Sequence, residues 1–338
     1  MPARTSAINP LTQESFMSLT AALIPALAAL ALQTAPVSKD RSGPMASTAM
    51  TATTEAQAVT FAPLEIPDGA GPAIEAGVWT PADRPRAGLP LVVISHGNGG
   101  DFRSHEATAR ALAEAGFIVA ALTHTGDNWR DQSQATNMPQ RPRQLHVLID
   151  YLVKDWADRD AIDPRRIGAF GFSSGGFTVL TAAGGEPDLA RIGEHCRAHP
   201  DFYDCGLVAT RGAPPSLEGQ AWVHDARIKS VVAAAPALGF SFTPEALSGL
   251  TQPVQLWRAE NDRVLPSPFY VEPVRDALPR SPEYHSVAGA DHFDFLPPCS
   301  ARLAALAPMI CTPTPGFDRA AFQDRFNRAL IGFFRRTL

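Results

Sequence analysis

From residue 59 onward, short apolar segments alternate with segments whose apolar residues recur at helical spacing. Five apolar runs, rich in β-branched or small residues, lie between turn-forming residues: 91–95, 118–122, 166–170, 229–234 and 254–257. Strands that are apolar on both faces are typical of a parallel sheet covered by helices. With two leading antiparallel strands at Val59–Ile66 and Ala73–Thr80, the pattern predicts an α/β fold, a mostly parallel twisted sheet with helices on both faces.

Helical spacing appears between these runs and at the end of the chain. It predicts helices over 106–115, 145–153 and 176–183, and a final helix over Phe317–Arg336. The face of the final helix that we expect to pack on the core consists of Phe322, Phe326, Leu330 and Phe333.

One long stretch, Glu186–Ala226, interrupts the alternation and shows little periodicity. Most connections in compact domains are far shorter. We interpret it as an insertion that forms a lid or pocket wall over a functional site. The alternative is a surface excursion unrelated to any substrate.

The charge balance excludes one large class of function. The chain has 338 residues and a formal net charge of −5, and it contains no long basic run. Nucleic-acid binding needs clustered Lys and Arg side chains that contact phosphates. We therefore expect no nucleic-acid partner.

The N-terminal segment has the composition of a targeting sequence. Leu19–Leu32 is an apolar run rich in Ala and Leu; it is shorter than the about 20 residues of a membrane span, but it fits the h-region of a secretory signal peptide. We predict a signal peptide over 1–35, a disordered linker over 36–58 and a folded domain over 59–338. The protein would then be periplasmic or secreted, without stable membrane insertion after cleavage. The alternative is an uncleaved, disordered Ala-rich leader, because few basic residues precede the run.

The pentapeptide at 171–175, Gly-Phe-Ser-Ser-Gly, fits the pattern G-x-S-x-G. Five residues alone are a weak signal, but these lie between a predicted strand and a predicted helix. That is the setting in which a nucleophilic serine is exposed on a strained turn. The glycines make room for the turn, and the helix N-terminus favours a developing negative charge. We predict Ser173 as the nucleophile.

A serine hydroxyl needs a general base, and in this kind of site the chain order is serine, acid, histidine. The histidines after the serine are His195, His199, His224, His285 and His292. The first three lie in the irregular stretch, before any strand that could carry the acid, and His285 lies inside a strand-like run. His292 is in the loop after that run, so we predict that it is the base.

The acid is expected in the loop after the strand at 254–257. That loop contains Glu260 and Asp262. We predict Asp262, with Glu260 as the competitor, because such an acid orients the imidazole and stabilises its charged form. Asp291, next to the base, is interpreted as a residue that shapes the loop.

Two backbone N–H groups are needed to stabilise the oxyanion. One is expected from Ser174, which follows the nucleophile, and the other from the loop Ser-His-Gly-Asn-Gly-Gly at 95–100, where Asn98 is best placed. The rival interpretation of this loop, a dinucleotide-binding G-x-G-x-x-G, fails because Phe102 occupies the third glycine position. We expect His96 to support the loop, and we find no metal-ligand spacing around it.

The four cysteines form two close pairs, Cys196 with Cys205 and Cys299 with Cys311. Behind an export signal an even number of cysteines suggests disulfides, and four cysteines allow three connectivities. Pairing of the cysteines that are close in sequence is the simplest connectivity. The spacing within each pair does not suit a zinc site. Free, buried thiols are the alternative to disulfides. A bridge from Cys299 to Cys311 would tie the segment behind His292 to the domain, so its reduction is expected to lower activity.

Several of these segments resemble the bacterial dienelactone-hydrolase-like branch of the α/β-hydrolases, which is also similar to platelet-activating-factor acetylhydrolases. The matching motifs are Val-Ile-Ser-His-Gly at 93–97, His-Thr-Gly-Asp-Asn at 124–128, Gly-Phe-Ser-Ser-Gly-Gly at 171–176, Glu-Asn-Asp at 260–262 and Gly-Ala-Asp-His-Phe-Asp-Phe at 289–295. The resemblance implies an α/β-hydrolase fold and hydrolysis of carboxylic esters without a metal or cofactor. Dienelactone hydrolases use Cys as the nucleophile, so a serine at 173 favours ordinary esters over lactones.

The function that follows is a serine carboxylesterase that acts on small-molecule or polymeric esters through an acyl-enzyme. Acyl transfer to another acceptor, amide hydrolysis, and hydrolysis of polyesters or phthalate-type esters are alternatives on the same triad. A non-catalytic binding protein is disfavoured, because a site that had lost catalysis would not need a serine, an acid and a histidine in this chain order.

Overall fold

Eight strands form one sheet in the computed structural model, which describes residues 58–69, 71–82, 88–215, 217 and 221–338. The strands are β1 (Val59–Ile66), β2 (Ile74–Pro81), β3 (Leu89–Ser95), β4 (Ile118–Leu122), β5 (Ile162–Phe172), β6 (Ile228–Ala234), β7 (Val254–Ala259) and β8 (Glu283–Val287). Their order across the sheet is β1-β2-β4-β3-β5-β6-β7-β8. β1 is antiparallel to β2 and β2 to β4, whereas all other pairs are parallel. The predicted α/β-hydrolase fold is thereby confirmed.

The predicted signal peptide over 1–35 and linker over 36–58 lie outside the described residues, apart from Ala58. Residues 58–338, where described, belong to one compact unit. No described helix is long and apolar enough to span a bilayer.

Ten α-helices connect and cover the described strands. They are α1 (Glu106–Glu114), α2 (Gln140–Lys154), α3 (Ser174–Ala182), α4 (Arg191–Ala198), α5 (Tyr203–Arg211), α6 (Pro244–Leu247), α7 (Val271–Ala277), α8 (Ala301–Leu306), α9 (Pro308–Cys311) and α10 (Arg319–Thr337).

Helices lie on both faces of the sheet, and each face carries its own apolar cluster. Helices α2, α3 and α7 contribute to one cluster, and α1 and α10 to the other. The predicted apolar stripe of α10 is buried in the second cluster, where it packs on Trp257 and Phe170 of the sheet. That stripe is confirmed as core packing.

Helix α2 begins five residues before the predicted start. Among its first five residues the buried side chains are Arg141, Pro142 and Gln144, two of which are polar. Apolar periodicity cannot detect such a segment, because these polar side chains are buried against other polar groups. The consequence for the functional site is described below.

The insertion over 186–226 contains two short helices, α4 and α5, which its sequence did not indicate. Each helix buries only two residues, and in each pair one is polar: Ile192 and His195 in α4, Asp204 and Cys205 in α5. Two-turn helices with so few buried apolar residues leave little periodic signal.

Both disulfides connect the cysteines that are closest in sequence. Cys196 at the end of α4 is bonded to Cys205 in α5, and Cys299 is bonded to Cys311 across helices α8 and α9. The simplest of the three connectivities is therefore the one observed.

Candidate active site

Ser173 lies on a strained turn between β5 and α3. Its backbone has φ 56° and ψ −120°, a conformation that a non-glycine residue rarely adopts. The flanking glycines are needed because the chain folds back on itself. A Cβ at Gly171 would lie 2.0 Å from the carbonyl oxygen of Gly175, and a Cβ at Gly175 would lie 1.9 Å from that of Ser95. The G-x-S-x-G pattern is thus required by the shape of the turn.

The structure brings together the three residues predicted as nucleophile, base and acid. His292 Nε2 lies 3.1 Å from the hydroxyl oxygen of Ser173, and His292 Nδ1 lies 2.7 Å from Asp262 Oδ2. The imidazole is 1% exposed and is packed against the ring of Phe172. With Nδ1–H donated to the carboxylate, Nε2 carries a lone pair that faces the hydroxyl, as proton abstraction requires.

Asp262, rather than Glu260, faces the histidine. The second oxygen of Asp262 accepts the backbone N–H groups of Val264 and Leu265, at 3.0 and 2.7 Å, so the carboxylate is held at both oxygens. Glu260 is exposed and accepts a hydrogen bond from Ser286. Asp291 accepts from the N–H of His292 and from Arg263, which is the loop-shaping position expected for it.

The other histidines after the serine are engaged elsewhere. His285 stacks on Trp257 within the sheet, His195 and His199 lie in an aromatic cluster of the insertion, and His224 approaches the carbonyl of Gly185. His96 donates Nδ1–H to the carbonyl of Gly97 and accepts the N–H of His124 at Nε2. Burial holds the pKa of His96 well below its usual value, so it is a neutral support of the loop.

The loop after β3 approaches the nucleophile closely. A Cβ at Gly97 would lie 3.2 Å from the ring of Phe172 and 3.3 Å from the Cβ of Ser173, so a larger residue there would have to displace these side chains by a few tenths of an ångström. Asn98 follows immediately. Among the hydrogen bonds of the described residues, none uses the backbone N–H of Asn98 or of Ser174. The assignment of these two N–H groups as oxyanion donors stays a prediction.

A buried ion pair fixes this loop, and neither of its residues was predicted. Arg141 pairs with Asp127 where both side chains are almost fully buried, and it also donates to the carbonyl of His96. Asp127 in turn accepts the side-chain amide of Asn98 at 2.6 Å and the N–H of Gly99 at 3.1 Å. We call Asp127 and Arg141 the loop clamp.

The loop clamp also reaches the helix that follows the nucleophile. Arg141 Nε donates to the hydroxyl of Thr178, and that hydroxyl donates to the carbonyl of Ser174. The two backbone segments that would bind an oxyanion are thus tied to one guanidinium. Asp127 belongs to the quoted 124–128 motif, but nothing in its spacing to Arg141 indicates that the two side chains meet.

A narrow pocket opens at Ser173 and is walled by the insertion. Its lining is mainly apolar and includes residues of α4, α5 and the chain after α5: Ile192, Tyr203, Asp204, Leu207, Val208 and Pro214. Met138, Leu238 and Leu265 also line it. Tyr203 also donates to the Asn98 side chain, at 2.6 Å, so the insertion contacts the loop after β3.

One group of described residues has side-chain atoms close enough to hold a metal ion: His195, Asp204 and Cys205. The sulfur of Cys205 is bonded to Cys196, so it is not a thiolate. A disulfide sulfur is a poor metal ligand. The two remaining groups do not make a complete metal site.

Two comparisons with known proteins match part of the chain. The model of the prolyl oligopeptidase family matches residues 101–194, a segment that includes Ser173 and ends before Asp262 and His292. Over 132 residues, 38% of this chain, the sequence is 26% identical to the "Putative esterase NocK" of Nocardia uniformis subsp. tsuyamanensis. That match covers 34% of the relative, so it extends over about a third of its length. With the fold, the two matches support a serine hydrolase.

Proposed function

We propose that this protein is a serine carboxylesterase with Ser173 as nucleophile, His292 as general base and Asp262 as the acid that orients the base. The observation that carries the proposal is the continuous chain from the serine hydroxyl to the carboxylate, with contacts of 3.1 and 2.7 Å. It lies at the mouth of a mainly apolar pocket, which suits an acyl chain.

The reaction proceeds in two halves. The hydroxyl of Ser173 attacks the ester carbonyl while His292 Nε2 takes its proton, and the N–H groups of Ser174 and Asn98 stabilise the oxyanion. His292 then gives the proton to the departing alcohol, which leaves an acyl-enzyme on Ser173. A water molecule, deprotonated by His292, attacks the carbonyl carbon of this acyl-enzyme. The bond to Ser173 Oγ breaks, His292 returns the proton to that oxygen, and the carboxylic acid is released.

Ester hydrolysis is favoured over peptide hydrolysis by the relative named as an esterase and by the narrow apolar pocket. The match to the prolyl oligopeptidase family favours the alternative, hydrolysis of a peptide bond. Parallel assays with p-nitrophenyl butyrate and a prolyl p-nitroanilide separate the two, because only a peptidase would cleave the anilide efficiently. Added alcohol would reveal acyl transfer through a second product.

We further propose that the protein is exported and acts on small or polymeric esters, without a nucleic-acid partner. Two disulfides support an oxidising compartment. The narrower resemblance, to dienelactone-hydrolase-like and platelet-activating-factor-acetylhydrolase-like enzymes, stays a prediction.

The test is labelling by a fluorophosphonate probe combined with turnover of p-nitrophenyl esters of increasing chain length. Ser173→Ala should lose the label and lower kcat by about 10⁶-fold, since loss of such a nucleophile removes nearly all triad catalysis. Ser174→Ala is the matched control, because it removes a neighbouring hydroxyl but keeps the backbone N–H. Activity that survives in Ser173→Ala and disappears in Ser174→Ala would refute the assignment.

A further inference from the structure

The pocket at Ser173 contains one carboxylate, that of Asp204, among its described lining residues. The other lining side chains are apolar or uncharged, with Tyr203 and Thr136 as the polar ones besides the two serines. Asp204 is 8% exposed. A carboxylate is expensive to bury in such surroundings unless its oxygens receive hydrogen bonds or a counter-ion.

One oxygen of Asp204 is fully engaged. Tyr270 donates its hydroxyl to Oδ1 at 2.8 Å, and the N–H of Cys205 donates to the same atom at 3.0 Å. Cys205 is covalently tied to Cys196 in the neighbouring helix. The carboxylate is therefore held in one orientation by groups that stabilise its ionised form.

The other oxygen, Oδ2, is buried and has no hydrogen-bond partner. Asp204 also makes no ion pair within the part of the chain that the structure describes. Burial is the largest effect on this carboxyl and raises its pKa above the usual value, opposed in part by the hydrogen bonds from Tyr270 and Cys205 and by the nearby His199. The unpartnered oxygen belongs to a carboxylate that lines the same pocket as the nucleophile.

The histidine beyond Tyr270 does not neutralise the charge. Tyr270 has one proton and donates it to Asp204, so His195 Nε2, 3.1 Å from the phenol oxygen, must be the donor in that contact. Burial lowers the pKa of His195 to about 4, which leaves its imidazole uncharged near neutral pH. The chain His195–Tyr270–Asp204 thus orients a carboxylate and leaves its charge in place.

We propose that Asp204 recognises a primary ammonium group on the acyl chain of the substrate. An ammonium supplies both the donor that Oδ2 lacks and the charge that offsets the carboxylate. We assign it to the acyl chain because that part of the substrate stays attached to Ser173, where the pocket begins. This inference rests on the proposed esterase function and specifies its substrate class.

The first measurement does not depend on catalysis. Binding of n-hexylammonium and of n-hexanol to the wild-type protein is compared by calorimetry, and then repeated on Asp204→Asn and on Asp201→Asn. Asp201 is an exposed carboxylate three residues earlier, so its variant has the same net charge as Asp204→Asn. We expect the ammonium to bind about tenfold more tightly than the alcohol, and the preference to disappear only in Asp204→Asn.

The second measurement is turnover of matched p-nitrophenyl esters. The pairs are 3-aminopropanoate with butanoate, 6-aminohexanoate with heptanoate, and 8-aminooctanoate with nonanoate, so each ammonium replaces a terminal methyl group. The ratio of kcat/KM within a pair is divided by the same ratio in Asp204→Asn, which cancels differences in ester reactivity. We expect this quotient to reach about ten for at least one acyl-chain length. One buried charged contact provides about this much preference for the ammonium ester over its methyl analogue.

The inference is refuted if hexylammonium and hexanol bind equally to the wild type, a comparison that remains informative even if Asp204→Asn does not fold. It is also refuted if every quotient lies near one, which would mean that Oδ2 is satisfied by water alone. If no ester is turned over but the ammonium preference is present and depends on Asp204, the proposed function is wrong while the binding site stands.

Discussion

The active centre has two sides that are built by different means. The sheet-edge side comprises the serine turn, the loop at 95–100 and the loops that carry Asp262 and His292. It is fixed by buried charges, by short hydrogen bonds and by glycines that permit close approach at Gly97 and Gly175. The insertion side, 186–226, is held mainly by the Cys196–Cys205 bridge and by stacked rings.

The difference matters because the two kinds of contact tolerate change differently. A misplaced oxyanion donor or base loses much of its effect within about 1 Å, whereas ring packing can adjust at modest cost. In the insertion, His195 stacks on Phe240 at 3.7 Å and His199 on Phe202 at 4.6 Å. We therefore expect damage to the sheet-edge side to lower kcat, and damage to the insertion to change KM and substrate preference.

The largest effect in this comparison is expected from Asp262→Asn. The amide would hold the imidazole in the wrong tautomer, and kcat should fall by about 10⁴-fold with the fold intact, as in the serine-protease template. Glu260→Gln is the matched control in the same loop, and it should retain near-normal kcat because Glu260 contacts Ser286. The opposite result, a severe loss for Glu260→Gln alone, would reverse the assignment of the acid. Steady-state kinetics with p-nitrophenyl butyrate gives the answer.

The loop clamp should produce the next largest effect. Arg141→Met leaves Asp127 charged and buried without its partner, which should cost about 3–5 kcal/mol of unfolding free energy. It also releases the loop that carries Asn98, so kcat should fall by about 10²-fold, as for loss of one oxyanion donor. Urea unfolding and kinetics at saturating substrate measure the two effects.

Arg143→Met is the control for the loop clamp. Arg143 lies in the same helix and forms two hydrogen bonds to Asp68, both 2.7 Å long, but its side chain is 27% exposed and contacts no part of the site. The Arg143→Met variant should have a somewhat lower unfolding free energy and an unchanged kcat. The double variant Asp127→Asn with Arg141→Met should regain part of the lost stability, because no unpaired charge stays buried. A folded Arg141→Met protein with normal kcat would show that the clamp does not position the loop.

The triad residues could be predicted from the sequence, whereas the residues of the loop clamp could not. Ser173, Asp262 and His292 each follow a strand, and the carboxyl ends of parallel strands meet at one edge of a sheet, so local pattern and chain order suffice to bring them together. Asp127 and Arg141 carry no such signal, because they meet only through the packing of α2 on the sheet. Apolar periodicity located most of α2 but omitted its first five residues, which bury the polar side chains of Arg141 and Gln144.

The insertion was harder for a related reason. Its helices are short and pack through a disulfide, histidines and scattered aromatic rings, so their positions depend on contacts distant in sequence, such as Tyr270 with Asp204. The cysteine pairing could be predicted because it is local. The pocket that the pairing shapes, and the unsatisfied carboxylate within it, could not.

A smaller effect is expected from removing the bridge of the insertion. Cys196→Ser with Cys205→Ser should lower the unfolding free energy by about 3 kcal/mol in the chain-entropy model. Because Tyr203, Asp204 and Leu207 line the pocket beside this bridge, KM should rise several-fold while kcat stays near the wild-type value. An equal fall in kcat would show that the insertion also positions reacting groups, for example through the hydrogen bond from Tyr203 to Asn98. Measuring kcat and KM across a chain-length series of esters distinguishes an effect on substrate binding from an effect on the reacting groups.

The bridge between Cys299 and Cys311 encloses a surface segment. No residue of α8 or α9 is buried, and Leu306 and Met309 are among the most exposed apolar side chains of the described chain. The segment behind His292 has a more direct support. Asp291 and Asp294 cap the turn that begins at His292, and Arg319 of α10 binds the fully buried Asp294 at 2.9 Å.

The smallest effect should therefore come from Cys299→Ser with Cys311→Ser, although the sequence alone suggested that this bridge supports the base. The variant should lose about 3 kcal/mol of unfolding free energy and keep kcat within about twofold of the wild type, as for changes away from the site. Arg319→Met is the comparison. It removes the ion pair with Asp294 behind His292 and the hydrogen bonds to the carbonyls of Ile310 and Thr312, but it keeps the disulfide. It should lower kcat clearly more than the cysteine variant does. If the cysteine variant loses as much kcat as Arg319→Met, the bridge does position His292. The Cys299–Cys311 bridge would then affect catalysis more than its exposed surroundings indicate.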